Sequence, residues 1–288
     1  MCVYLPEFTW PNHPKIIHAA GVPVSSVRSY RYYDSDKKVL AMEGMLEDLR
    51  AAPRGSIVVL HMCAHNPTGM DPSVAQWGSI AQVVEERGLL TLFDNAYQGF
   101  ATGNLEEDAY PVRLFMERGL QMMVAASFSK NMGLYGERVG ALHLVCASGA
   151  EAETVRGLLR ALVRPMYSSP PAAGAKVVEV VLSDPALSAQ WREQLAEMSR
   201  RICAMRTALQ VALKENGTPG PWGHIGRQRG MFGYTGLTPR QVELLRERHH
   251  VYLAGSGRLS VSGVTDANVR YLADCIKDAI VNAGGANE

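Results

Sequence analysis

The chain carries almost no net charge: 29 lysines and arginines against 28 aspartates and glutamates leave +1 over 288 residues. That balance offers no electrostatic footprint for nucleic acid or an acidic membrane surface, so neither is expected as the main partner. Apolar runs near the ~20 residues needed to cross a bilayer are also missing. The opening MCVYLPEFTW has no basic stretch and places Pro6 and Glu7 early, a poor match to a secretory leader. It reads more like the middle of a strand. Paired cysteine motifs are lacking too: the five cysteines, at 2, 63, 146, 203 and 275, show no CxxC spacing. Reduced thiols are therefore expected, in the cytoplasm or alternatively the mitochondrial matrix. Cys63 between His61 and His65 invites a zinc reading, but no second ligand cluster follows, and packing is the expected role. Internal repeats and low-complexity linkers are absent.

What is present is an alternation. Residues 57–63 (IVVLHMC), 89–93 (LLTLF), 121–126 (QMMVAA) and 139–146 (VGALHLVC) read as buried strands. Between the first two, a helical pattern runs from near Pro72 to Gly88. This rhythm predicts an α/β fold with a mostly parallel sheet. A helix over 151–163 should end before Pro165, and a shorter one should reach about Leu182. Leu187, Trp191, Leu195, Met198, Ile202, Met205, Leu209 and Leu213 then recur every three or four residues. So long a helix is expected to bridge two lobes, with its stripe in the core. The remainder reads as a small α+β unit: a charged helix 239–249, two short strands around 251–261 and a closing helix 265–281. The division expected is 1–185 and 186–288.

Ligands of an open parallel sheet sit beyond the carboxyl ends of its strands. There the sequence supplies Asn66 in AHNPTG, Asp94 and Tyr97 in FDNAYQG, and Ser127, Ser129 and Lys130 in SFSKN, with Arg138 close behind. Singly, each has an ordinary structural reading. Together they match the demands of pyridoxal phosphate: an amine for the aldehyde, a carboxylate for the pyridine nitrogen, donors for the ring oxygen, and hydroxyls with an arginine for the phosphate. A phosphate-loop NTPase is excluded, because GLYGERVG contains no Gly-Lys-Ser/Thr.

CAHNPTG, FDNAYQGFATG, SFSKNMGLYGERVG, RPMYSSPP and GSGRLSVSG resemble, in order and spacing, the class I aspartate aminotransferases of fold type I. The resemblance implies that Lys130 joins the cofactor covalently and later moves a proton. It implies that Asp94 keeps the ring nitrogen protonated, and that Asn66 and Tyr97 bond the ring oxygen. Ser127, Ser129 and Arg138 would hold the phosphate, and Trp10 would stack on the ring. Arg258 would clamp the substrate α-carboxylate, and Arg164 would reach a neighbouring subunit's site for the distal carboxylate, which implies a homodimer. His13 and His61 match positions near the ring. Ser169 departs from the family's usual asparagine before the proline pair. The substrates implied are an amino acid and a 2-oxo acid, aspartate and 2-oxoglutarate first. An aromatic or broad-specificity aminotransferase, or a homologue without turnover, stays open. Roughly the first quarter of a typical member has no counterpart in these 288 residues, including a Ser-Gly-Thr phosphate turn.

Overall fold

The structure is a computed structural model, and residues 1–283 are described. A six-stranded sheet organises the first 145 residues, in the order β2-β1-β5-β6-β7-β8. Its strands are β1 (Val3–Pro6), β2 (Val27–Tyr30), β5 (Ile57–His61), β6 (Leu90–Asn95), β7 (Met122–Ser127) and β8 (Gly140–Val145). All neighbours pair parallel except β7 with β8. A hairpin of β3 (Tyr33–Asp34) and β4 (Val39–Leu40) stands apart.

Helices α2 (Met42–Ala51), α3 (Val74–Arg87), α4 (Leu105–Asp108) and α5 (Tyr110–Glu117) follow, and α2, α3 and α5 pack together. The start and stop of α3 are written locally. Ser73 and Gln76 form a reciprocal capping box, and Gly88 closes the helix in the left-handed conformation at φ 56°. Its buried face, with Trp77, Ile80 and Val84, meets Leu60, Phe93, Phe115 and Met122 in the main core. Burying one such side chain is worth about 1.5–3 kcal/mol. The opposite face of the sheet carries only a small cluster of Val3, Leu5 and Val59, beside α1 (Asn12–Ala19).

After β8 come α6 (Gly149–Tyr167), α7 (Ala173–Ser183) and the 31-residue α8 (Pro185–Glu215). The side chain of Asp184 accepts from the amides of Ala186 and Leu187, and Pro185 occupies the first turn, so the start of α8 is fixed by two adjacent residues. A second core forms on α8. Leu195, Ile202, Met205, Leu209 and Leu213 pack with Leu244 and Leu245 of α10 (Pro239–His249) and Leu272 and Ile276 of α11 (Val269–Asn282). Phe100, from the loop after β6, belongs to the same cluster. The long helix therefore touches the loop after β6 as well as α10 and α11. Short elements complete the unit: α9 (Gly223–Arg227) and the antiparallel pair β9 (Phe232–Tyr234) and β10 (Arg258–Ser260).

Four expectations are corrected. β8 is an antiparallel edge strand, and Leu142 is 51% exposed, so its apolar letters do not signal burial. Helix α6 runs through Pro165 to Tyr167, because a proline in the last turn removes only one amide, and Ser168 N closes the end on the Val163 carbonyl. Residues 251–253 form no strand. The Val251 amide is taken by the Leu245 carbonyl at the end of α10, and the true partner of Arg258–Ser260 lies earlier, within GMFGYTG. In the α8 stripe, Leu187 and Met198 are exposed and only the intervening and later positions enter the core.

Candidate active site

Parallel pairing in register brings the strand ends level: His61 lies beside Asp94, and Asp94 beside Ala125, two residues before Ser127. The polar residues just past those ends therefore share one rim.

The turn after β5 is built tightly. Asp71 accepts from the amides of Ala64 (2.7 Å) and His65 (2.9 Å), and Thr68 Oγ1 lies 2.9 Å from His65 Nδ1. The Tyr32 ring stacks on His65 at 3.9 Å while its hydroxyl donates to the Met70 carbonyl. These contacts point buried Asn66 at two partners. Its Nδ2 donates to Tyr97 Oη at 3.4 Å, and its Oδ1 accepts from Arg258 Nη1 at 2.8 Å. Arg258 lies over the Phe232 ring at 4.3 Å, and that ring meets Tyr97 edge-on. Burial pushes the Tyr97 phenol up, so it stays protonated at neutral pH.

Asp94 is the acid of the rim. His13 Nε2 lies 3.1 Å and His61 Nδ1 3.9 Å from its Oδ2. Burial opposes its charge, yet the hydrogen bond from His13, helped by His61 and by the cation of Lys130, holds it below the usual carboxylate range. Thr9 Oγ1 joins the two histidines, 2.7 Å from His13 Nδ1 and 3.3 Å from His61 Nε2.

The polarity of this chain follows from one backbone amide. Asn66 N can only donate, and it points at His61 Nδ1 at 3.5 Å. Burial holds His61 at about 4, so at neutral pH it carries a single proton, which is then on Nε2 and is given to Thr9. The Thr9 hydroxyl in turn donates to His13 Nδ1, and His13 Nε2–H donates to Asp94. Every hydrogen bond points toward the carboxylate, which suits an ionised acid.

Lys130 Nζ lies 5.0 Å above the Tyr97 ring. Burial pulls its pKa down, the nearby Arg138 adds to that, and Asp94 opposes it. Asp94 lies at the end of β6 and Lys130 just past the neighbouring β7, so both stand on one rim with Tyr97. Ser127 Oγ accepts from the amide of Ser129, and Arg138 donates to the Tyr135 carbonyl from an exposed position at φ 51°. Trp10, 37% exposed, stands edge-on to His13.

Asn66, Asp94, Tyr97, Lys130 and Arg258 are thus brought together, with Ser127, Ser129, Arg138 and Trp10 around them. Arg164 is apart from them: it is exposed near the end of α6 and donates to Ser168 Oγ at 2.6 Å. The zinc triad of His61, Cys63 and His65 does not assemble, because Cys63 Sγ points to Asp108 and His65 serves the turn. The set that does converge is His13, His61 and Asp94, whose ligand atoms lie within 4.8 Å of one another; His13 already bonds Asp94, and His61 bonds Thr9. Thr9 and Phe232 went unnoticed in the sequence. FTWPNH held Thr9 four residues before His13, but only the fold brings His61 against both.

Against known proteins, the family description "Aminotransferase class I and II" matches residues 2–276. The chloroplastic aspartate aminotransferase 3 of Arabidopsis thaliana is 48% identical over 98% of this chain, and the chain spans 62% of that protein's length. The crystal structure of aspartate aminotransferase from Trypanosoma cruzi superposes with a TM-score of 0.93 at 48% identity, covering 98% of this chain and 71% of that one. An aromatic amino acid aminotransferase from Burkholderia cenocepacia gives 0.92 at 46% identity, over 97% and 68%.

Proposed function

The chain belongs to the class I and II aminotransferases, and from that premise we propose that it exchanges an amino group between aspartate and 2-oxoglutarate with pyridoxal phosphate as cofactor. Its α/β architecture is that of fold type I. The observation that carries the proposal is that Lys130 and Asp94 stand on one rim beside the hydrogen-bonded Tyr97–Asn66–Arg258 chain.

The donor set fits the cofactor. An amine with a lowered pKa, an acid kept ionised by aligned hydrogen bonds, a neutral phenol and a serine–arginine turn are its four chemical needs. When bound, pyridoxal phosphate supplies an aldehyde for amines and a cationic ring that withdraws electrons from the substrate Cα. Asp94 would face the ring nitrogen and hold a proton there. Tyr97 and Asn66 would bond the ring oxygen, Trp10 would cover the ring, and Ser127, Ser129 and Arg138 would take the phosphate. The Lys130 amine, shifted toward neutrality, would carry the proton between substrate carbon and cofactor. Arg258, already steadied by Asn66 and Phe232, offers a bidentate fork for the α-carboxylate.

Arg164 is read as a clamp for the distal carboxylate in a partner's pocket, within a homodimer. Its exposed position near the end of α6 supports this reading. The division at Pro185 rests on the two cores. The cytoplasm, with the mitochondrial matrix as alternative, rests on five free thiols. Among the described residues no helix is long and apolar enough to cross a membrane.

Borohydride reduction after adding pyridoxal phosphate, then peptide mass mapping, tests the site. A pyridoxyl mass on the Lys130 peptide, absent from Lys130→Ala, is expected; modification elsewhere or none overturns the reading. Turnover with aspartate above that with phenylalanine or tyrosine is expected. The reverse order would favour aromatic specificity, the activity named for the Burkholderia neighbour. A pyridoxyl adduct without turnover would mark a homologue that binds only.

A further inference from the structure

Between the two cores lies a cavity of about 480 Å³ whose lining includes none of Asn66, Asp94, Tyr97, Lys130 and Arg258. Phe100 and Thr102 line it from the loop after β6, Ser199 and Arg206 from α8, and Arg227 and Arg229 from the segment before β9. Three arginines thus face one space, and among the described residues no aspartate or glutamate lines it.

Arg206 is the informative member. It is 2% exposed, and its Nη2 donates to the carbonyls of Gly230 and Phe232, while Nη1 reaches Gln228 Oε1 at 3.5 Å. Carbonyl dipoles hold a guanidinium in place but leave its charge uncompensated, which is costly in a low dielectric. Burial accordingly pulls Arg206 down to about 10. Among the described residues, the arginines that do have a carboxylate within 4 Å are others, and Arg206, Arg227 and Arg229 have none. The acid whose titration feels Arg229 is Asp71. It is committed to the amides of Ala64 and His65, and with Glu107 and Asp108 it lines the adjoining cavity that Arg227 and Arg229 also border, not this one. The space is also of the size in which small ligands are held.

We propose that this cavity binds a small multivalent oxyanion, a dicarboxylate or a phosphate, that supplies the counter-charge buried Arg206 lacks, with Arg227 and Arg229 at the rim. Guanidinium forks match either oxyanion bidentately, with geometry that a lysine cluster would not give. Because its walls come from both regions, a bound anion ties the loop at 100–102 to the segment at 226–230.

The test is equilibrium dialysis with labelled inorganic phosphate and labelled succinate, alongside thermal unfolding. The background is the full chain carrying Arg138→Gln and Arg258→Gln, which removes the anion sites of the Lys130 pocket. One equivalent is expected to bind and to raise the unfolding temperature. Adding Arg227→Gln and Arg229→Gln, both at the cavity wall and away from that pocket, should weaken binding at least tenfold without altering the circular dichroism. Saturation by phosphate alone or by succinate alone identifies the source. Failure of both anions to bind the background chain overturns the proposal, as does unchanged affinity after the two wall substitutions.

Discussion

A threonine hydroxyl and two imidazoles decide the protonation of the proposed site. Thr9→Val leaves His13 and His61 in place but removes the link that aligns them on Asp94. A hydrogen bond to a charged network is worth about 1.5–3 kcal/mol, so cofactor affinity should fall about tenfold or more. Thr9→Ser, which restores the hydroxyl, should recover it; absorbance titration with pyridoxal phosphate reads both. His61 also writes a pH dependence. Folded, burial holds it at about 4, while unfolded it titrates near 6.5. Between those values the unfolded chain binds the extra proton, so stability is full above about pH 6.5 and is lost as pH falls toward 4. From pH 6.5 to 5 the loss from His61 is about 2 kcal/mol. His224, pulled down to about 4 chiefly by burial, contributes a similar slope. Urea unfolding at the two pH values should show His61→Gln removing about half of their joint effect.

Among elements, a close backbone contact joins the two regions beside the Arg258–Asn66 side-chain bond. The Arg229 amide donates to the Gly69 carbonyl at 2.6 Å, and Gly230, at φ +79°, passes so near Ala64 that a Cβ there would sit 2.3 Å from the alanine methyl. Gly230→Ala combines a left-handed backbone with that overlap. A cost of about 2–4 kcal/mol in urea unfolding is expected, far above the effect of an alanine at an open glycine such as Gly149. At the helix starts the effects are smaller: Ser73→Ala removes the α3 capping box for about 1 kcal/mol. The misplaced strand at 251–253 and the overlong α6 have the same origin. Both depended on where a few backbone amides find partners, at the end of α10 and past Pro165, and apolar letters do not encode that.

For the whole molecule, the unbalanced feature is an apolar surface. Leu158, Leu162, Met166 and Tyr167 of α6, and Val177 and Val180 of α7, are all exposed, as is Leu142 on β8. Monomers rarely keep that much apolar side chain in water, and Arg164 stands among it. If this surface is the homodimer face, sedimentation should give a dimer at micromolar concentration. Leu158→Glu with Leu162→Glu should give a monomer with the same helix content. A wild-type monomer at every concentration would sink the homodimer proposal.

The sequence by itself determined the elements whose signals are local: the buried β5 and β6 runs, α3 between its cap and its glycine, and α8 from Asp184 onward. It also located the polar groups at the strand ends, with Asp94 at the end of β6 and Asn66, Tyr97 and Lys130 in the turns just beyond β5, β6 and β7. Tertiary structure alone decided which groups touch. Thr9 reaches His61 across 52 residues, and Arg258 reaches Asn66 across 192. Distances of that kind are fixed by parallel register and by the packing of α8 on both cores, and neither leaves a mark in any short stretch of the chain.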